Sequence, residues 1–139
     1  MATEDTALAV TDTHPLIWMA AGKSKRLGRA ARRLFERAEA GECSIYIPAT
    51  ALVALGEAYY KGAATADVSF ETWVRAAFAS GKYHEAELTA EIVYAAQRLY
   101  SIPERGDRLI AATAVVLDLP LITRDPEIHE AAGVECIWS

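Results

Sequence analysis

Hydrophobic residues follow two different spacings along this chain. Short apolar runs, such as 8–11 and 43–47, have the length of buried strands, whereas elsewhere apolar residues recur every three or four positions, as on one helix face. Gly41 and Gly62 end helical stretches, and Pro48 begins one. The pattern predicts alternating elements: strand 8–11, helices 15–21 and 28–40, strand 43–47, helices 48–61 and 70–80, an extended segment 83–88, a Thr89-capped helix through residue 99, helix 107–117, strand 121–123, a short helix 126–132 and an edge strand 134–138.

Strands that alternate with helices predict an α/β fold, in which helices cover both faces of a mostly parallel sheet. The chain has 139 residues, of which 53% are hydrophobic, enough to bury the core of a single domain, 1–139. The longest apolar run, 109–117, is about half the length of a bilayer span, and no charged-then-apolar leader is recognised before Asp12. We therefore expect a cytoplasmic protein that does not enter a membrane.

Cys43 and Cys136 both lie in short strand-like runs and are expected to be reduced and buried.

The basic residues are unevenly distributed. The net charge is −5, which argues against bulk electrostatic binding of nucleic acid, yet seven of the 14 lysines and arginines lie in segment 23–37. If this segment is helical, several arginines share one face. That face is either simply solvated or a rim that contacts phosphates beside an acidic centre. The arginines concerned are Arg26, Arg29, Arg33 and Arg37.

Three aspartates occupy positions where α/β proteins build their sites. Asp12 ends the first strand, Asp107 opens a helix after Gly106, and Asp125 follows strand 121–123. Strand ends and helix starts converge at one edge of a parallel sheet, so these carboxylates are expected to approach one point. Hard oxygen ligands select Mg²⁺ or Mn²⁺. Two of these acids also have a local explanation, because Asp107 is suited to cap its helix and Asp125 to begin a turn or cap the next short helix.

Two known classes of α/β protein with an aspartate at the end of the first strand do not fit the chain. A haloacid-dehalogenase phosphatase requires a second aspartate two residues after the first, where this chain has His14. A receiver domain requires paired acids after its first strand and a late lysine, and no lysine follows Lys82. His14 itself is more typical of a packed or capping residue than of a ligand or base.

Several blocks together resemble the PIN domain of VapC-like toxins. The resemblance implies a single PIN-like α/β/α sandwich, 1–139, and an Mg²⁺- or Mn²⁺-dependent ribonuclease. It also implies a toxin that acts on RNA, pairs with a cognate antitoxin and forms a homodimer. The blocks are Asp12-Thr13-His14-x-Leu16-x-Trp18, Asp107-Arg108-Leu109-Ile110-Ala111-Ala112-Thr113-Ala114, Pro120-Leu121-Ile122-Thr123-Arg124-Asp125 and Val134-x-x-Ile137-Trp138.

The resemblance also assigns roles to individual residues. Asp12 corresponds to the first metal ligand, Asp107 to the helix-borne acid, and Asp125 to the acid after the penultimate strand. Glu104 stands near the position of an additional aspartate in many relatives. Thr123 matches a hydroxyl that lines the site and hydrogen-bonds a carboxylate or a metal-bound water.

One position departs from the family pattern. Ala54 stands where the helix after the second strand usually carries a glutamate. Glu57 follows three residues later, and helical side chains lean toward the N-terminus, so its carboxylate is a candidate to cover the missing place. The other interpretation is a site that lacks one acid, which leaves open a degenerate PIN module that binds RNA or an antitoxin without cleavage.

The apolar helices 48–61 and 70–80 carry several large aromatic residues. Core packing is their expected main use, and contacts with an antitoxin or a second copy are the alternative. The aromatic residues concerned are Tyr59, Tyr60, Trp73 and Phe78.

Overall fold

The computed structural model describes residues 7–62 and 67–139, so the segment in which no leader was recognised lies largely outside it. Within these ranges strands and helices alternate as predicted. In chain order they are β1 (Ala7–Thr11), α1 (Thr13–Ala20), a 3₁₀ turn (Ser24–Arg26), α2 (Arg29–Glu39), β2 (Ser44–Pro48), α3 (Ala49–Tyr60), α4 (Phe70–Ala79), β3 (Tyr83–Ala86), α5 (Ala90–Ala96), α6 (Arg105–Leu117), β4 (Leu121–Ile122), α7 (Pro126–His129) and β5 (Cys136–Ile137).

The five strands form one sheet in the order β3-β2-β1-β4-β5, and every neighbouring pair is parallel. Flanking helices complete an α/β/α sandwich around this parallel sheet, as the sequence predicted. The chain leaves β1 toward β2 and β3 in one direction, and later returns to add β4 and β5 on the other side. The strand order therefore reverses between β1 and β4, which is where open parallel sheets bind their ligands.

The helix that carries Asp107 begins two residues earlier than predicted. α6 starts at Arg105, and the carboxylate of Glu104 accepts the backbone N–H of Asp107 at 2.8 Å. Glu104, not Asp107, is therefore the N-cap, because its longer side chain reaches the donor three residues ahead. The structure thus corrects the local explanation of Asp107 as a helix cap.

The basic segment is not one continuous helix. Arg26 lies in the 3₁₀ turn, and Gly28 is the N-cap of α2. The expectation that Arg26 shares a helix face with the arginines of α2 is therefore wrong. Gly28 is needed at this point because the backbone of Trp138 packs against it, where a side chain would clash. Ala31 donates its N–H to the Trp138 carbonyl at 3.1 Å, which attaches the chain end to α2.

Cys43 directly precedes β2, and Cys136 lies in β5. Both are free thiols, as expected, and Cys43 is buried, whereas Cys136 is only partly buried because β5 is the edge strand of the sheet. α3 packs against α1 and α6, and α5 packs against α6. Among residues 7–62 and 67–139, no helix combines the length and apolar content that crossing a membrane requires.

Candidate active site

Asp12 is held at the carboxyl end of β1 by local hydrogen bonds. It is the N-cap of α1, and its Oδ1 accepts the Thr13 backbone N–H at 2.7 Å. Its own N–H donates to the Ile122 carbonyl of the neighbouring strand at 2.9 Å. Only 5% of its surface is exposed, so this carboxylate is fixed at the point where the strand order reverses.

Thr123 connects the ends of the two central strands. Its buried hydroxyl donates to Asp12 Oδ2 at 2.7 Å and accepts the backbone N–H of Asp125 at 3.1 Å. The register that pairs Thr11 with Ile122 brings these residues together, although they are far apart along the chain. Thr123 therefore orients one acid directly and the loop that carries another.

Asp125 and Glu104 each combine a helix cap with a place beside the other acids. The Asp125 Oδ1 accepts the Glu127 N–H at 2.9 Å and caps α7. The Glu104 carboxylate lies over Gly106, close to where a Cβ would be. In both cases the bonded oxygen is fixed by a backbone donor, as the local explanation of Asp125 predicted. A cap of this kind engages one carboxylate oxygen and leaves the second free of the helix backbone.

Asp12, Asp107 and Asp125 line one cavity of about 260 Å³. The remaining lining residues come from α1 and from the loop after β4. They are His14, Pro15, Trp18, Arg124 and Pro126. The volume suffices for an ion with its waters and a phosphate group, since a water occupies about 30 Å³ in the liquid.

The acids strongly influence one another. Burial, followed by the negative charges of Asp12, Glu104 and Asp125, raises the pKa of Asp107 from 3.8 to about 7. A hydrogen bond to Asp125 also favours the protonated form of Asp107 and raises its pKa further. Burial also raises the pKa of Asp12, against the lowering effect of its bonds from Thr123 and Thr13. Such a cluster holds a proton unless a cation neutralises it.

The raised pKa of Asp107 predicts how pH affects the stability of the metal-free protein. Between about pH 4 and pH 7 the folded state retains the Asp107 proton more tightly than the unfolded state does. This group therefore lowers the free energy of unfolding as pH rises through that interval. In urea titrations with EDTA at pH 5 and pH 8, Asp107→Asn should show a smaller loss of stability than the unmodified protein.

Asp118→Asn is the matched control for this measurement, because Asp118 is an exposed residue at the other end of α6. Its backbone is left-handed, with φ of 56°, a conformation that asparagine tolerates. The control should keep the pH dependence of the unmodified protein. An identical pH dependence in all three proteins would contradict the strained carboxyl cluster.

The donor set suits a hard divalent cation, but its side chains are not yet arranged around one. The cavity offers carboxylate oxygens, which Mg²⁺ and Mn²⁺ prefer. Across the described residues, however, no group of three His, Cys, Asp or Glu side chains is placed to hold a metal as it stands. The negative charges of Asp12, Glu104 and Asp125 around Asp107 form the kind of environment that a divalent cation neutralises.

Glu57 is not among the residues that line this cavity. Its side chain is exposed on α3, and the carboxylates that raise the pKa of Asp107 are Asp12, Glu104 and Asp125. Ala54 is partly buried one turn earlier on the same helix. The structure thus brings together the three aspartates, with Thr123 and Glu104 beside them, and leaves Glu57 apart.

Two residues of the cavity lining, Trp18 and Arg124, have no predicted role from the sequence. Trp18 lies one helical turn after His14 on α1, with the two ring centroids 5.9 Å apart. The Arg124 guanidinium lies 5.0 Å from the centre of the Trp18 ring. The four-residue spacing of His14 and Trp18 after Asp12 was a usable signal, whereas the Arg124 contact depends on strand order.

The protein is thus an α/β domain with an all-parallel sheet and an acidic cavity at the point where the strand order reverses. Residues 9–134 match the family model described as PIN domain, and this match covers most of the chain. The chain therefore belongs to the PIN domain family. No curated protein sequence matches it at a significant level.

Several solved structures have a similar fold, among them three bacterial complexes. VapBC2 from Rickettsia felis, bound to a DNA fragment from its promoter, matches with a TM-score of 0.68 and 13% identity over 95% of this chain and 99% of that chain. DNA-bound VapBC from Salmonella typhimurium gives 0.65 and 13% over 95% and 98%. A toxin–antitoxin complex from Klebsiella pneumoniae gives 0.60 and 22% over 91% and 94%. At these identities the likeness establishes the fold.

Proposed function

We propose that this chain is an Mg²⁺- or Mn²⁺-dependent endoribonuclease of the VapC-like toxin type. One observation carries the proposal: Asp12, Asp107 and Asp125 line a single cavity where the strand order reverses. Membership of the PIN family supports the same reaction class. The proposed reaction is hydrolysis of an RNA phosphodiester by a metal-activated water.

The proposed roles follow from the contacts of each residue. Asp12, Asp107 and Asp125 would hold the ion, which when bound supplies a more acidic water and neutralises charge on the phosphate. Thr123 fixes the orientation of Asp12 through its 2.7 Å hydrogen bond. Glu104 adds negative charge beside Asp107 and thereby favours a cation over an empty site. No side chain is required as a covalent nucleophile.

The surface beside the cavity supports RNA as the substrate. Arg29 and Arg33 are exposed on α2, in the segment attached to Trp138. Arg37 is also exposed, but its guanidinium lies 3.5 Å from the Glu42 carboxylate, which reduces its value for a phosphate. A localised basic face allows an acidic protein to bind a polyanion.

We further propose an antitoxin partner, a homodimer and a cytoplasmic location. An apolar groove between α3 and α4 supports a protein partner, with Val53 and Phe70 in its lining. Tyr60 at the end of α3 is 93% exposed, whereas Tyr59 packs on Phe70 with ring centroids 5.5 Å apart. Trp73 and Phe78, like Tyr59, are half-buried against the core. Three of the similar structures are VapBC or toxin–antitoxin complexes, which supports an antitoxin as the occupant of this groove.

The test is cleavage of single-stranded RNA by the purified chain. We expect cleavage with Mg²⁺ or Mn²⁺, loss of cleavage in EDTA, and recovery when the metal is restored. Mn²⁺ titration by calorimetry should give binding that weakens as pH falls through about 7, because protons compete for Asp107. Cleavage that continues in EDTA would contradict the proposal.

The second candidate is a degenerate PIN module that binds RNA or an antitoxin without cutting. Ala54 favours it, because that position lacks the expected acid and Glu57 lies outside the cavity. This candidate predicts RNA or antitoxin binding with no cleavage at any Mn²⁺ concentration. The same assay therefore separates the two candidates.

A further inference from the structure

Trp18 lines the acidic cavity, and the side chains of two arginines lie against its ring. The Arg124 guanidinium carbon lies 5.0 Å from the centre of its ring, and that of Arg26 lies 5.9 Å away. Both distances are within the range of an attractive cation–π contact. Trp138 packs on the same residue, with ring centroids 6.1 Å apart. Trp18 itself is buried, so its position is fixed by the fold.

Arg124 is held by this ring and not by the neighbouring acids. It is adjacent to Asp125 in the chain and lines the cavity together with Asp12 and Asp107. The ion pairs found within the described ranges are Arg37–Glu42, Arg75–Glu71 and Lys82–Glu39, so Arg124 bonds none of the cavity carboxylates. Its side chain is exposed, and a guanidinium carries five N–H donors in a planar fork. These donors remain available to an anion at the cavity mouth.

We propose that Arg124, held by Trp18, binds the RNA phosphate next to the cleaved bond, an inference that rests on the proposed ribonuclease function. A planar guanidinium matches a phosphate in two-point geometry. The aromatic contact restricts the guanidinium before the substrate arrives, which lowers the entropy lost on binding. Arg26 contacts the same ring and lies shortly before Arg29 and Arg33 of α2 in the chain. These arginines add further positive charge for neighbouring phosphates.

The location favours the flanking phosphate over the reacting one. The reacting phosphate must lie against Asp12, Asp107 and Asp125, whereas Arg124 is directed to the Trp18 side of the cavity. A contact with a flanking phosphate is the same before and during the reaction. It therefore strengthens substrate binding uniformly and leaves kcat almost unchanged.

The test compares Arg124→Gln with Arg75→Gln. Arg75 is exposed on α4, beside β3 at the far edge of the sheet, and is paired with Glu71 at 2.7 Å, so the control removes an equal charge at a distance. Binding of a single-stranded RNA oligomer is measured in EDTA over a salt series, and cleavage in Mn²⁺. We expect Arg124→Gln to lower the slope of log affinity against log salt by about 0.7. It should also raise Kd and KM about tenfold, with kcat within about twofold.

Two further variants separate charge from geometry. Arg124→Lys keeps the charge without the planar fork, so the salt slope should stay near that of the unmodified protein while Kd rises severalfold. Trp18→Leu removes the ring and leaves Arg124 in place, with the same expected result. Should Trp18→Leu fail to fold by circular dichroism, Arg124→Lys alone decides the question.

The outcomes distinguish this inference from the proposed function. An Arg124→Gln protein that binds RNA with the slope and Kd of Arg75→Gln overturns the phosphate contact, whether or not the chain cleaves. A fall in kcat with unchanged KM would instead place Arg124 on the reacting phosphate and overturn the flanking assignment. If the unmodified chain binds RNA without cleaving it, the proposed function fails while the slope and Kd still test Arg124. If it does not bind RNA at all, both fail.

Discussion

Asp107→Asn is expected to reduce metal-dependent RNA cleavage by about three orders of magnitude or more, equivalent to about 4 kcal/mol of transition-state stabilisation. Asparagine preserves the size of the side chain but removes the charge that a divalent ion requires. The same substitution relieves the repulsion among Asp107, Asp12 and Asp125, so the metal-free protein should gain stability at neutral pH. Loss of function together with gain of stability is the signature of a site that is strained without its cation.

Three measurements decide this prediction. Cleavage of single-stranded RNA in Mn²⁺ gives the activity, calorimetric titration of Mn²⁺ gives the metal affinity, and urea unfolding in EDTA gives the stability. Asp118→Asn, at the exposed end of the same helix, should match the unmodified protein in all three. Undiminished cutting by Asp107→Asn would indicate a contaminating nuclease or a mechanism that does not use this acid.

Ala54→Glu is expected to tighten Mn²⁺ binding and raise cleavage about tenfold or more, by adding a carboxylate to an incomplete acidic cluster. α3 packs against α1, which Asp12 caps, and against α6, which carries Asp107. A carboxylate on the partly buried side of α3 is therefore expected to lie near Asp12 and Asp107. Glu57→Gln should have little effect, because that side chain is exposed and outside the cavity lining.

Val53→Glu is the matched control for this comparison. It adds the same charge to the same helix at a position that is 64% exposed, so it should leave both metal affinity and cleavage unchanged. If Glu57→Gln abolishes activity and Ala54→Glu gives no gain, Glu57 is the fourth acid and leans back along the helix to reach the site. If neither variant changes metal affinity, α3 does not face the site.

The sequence predicted the order of helices and strands better than the residues at which they begin and end. The sequence predicted a helix from residue 107, and α6 begins at Arg105 because Glu104 reaches the Asp107 N–H. It considered a basic helix face that included Arg26, whereas Arg26 lies in the 3₁₀ turn and α2 begins only after its N-cap, Gly28. Both differences involve contacts at element ends, a side-chain cap at Glu104 and the backbone of Trp138 at Gly28, to which hydrophobic spacing is insensitive.

No local segment of the sequence shows which acids line the cavity. The sequence placed Asp12, Asp107 and Asp125 at strand ends and a helix start, and the fold brings them to one cavity. It offered Glu57 as a member of the same cluster, and the fold leaves this residue at the surface. Both outcomes depend on how α3 and α6 lie across the sheet.

The sequence by itself determined the alternation of strands and helices, the parallel sheet and the resemblance to the PIN family, because periodicity and short motifs are properties of neighbouring residues. The tertiary structure decided that β4 lies beside β1, which joins Thr123 to Asp12 at 2.7 Å and places Arg124 over Trp18. It also decided the raised pKa of Asp107, since burial and like charges act through space. Such contacts join residues about a hundred positions apart, and only the strand order specifies them.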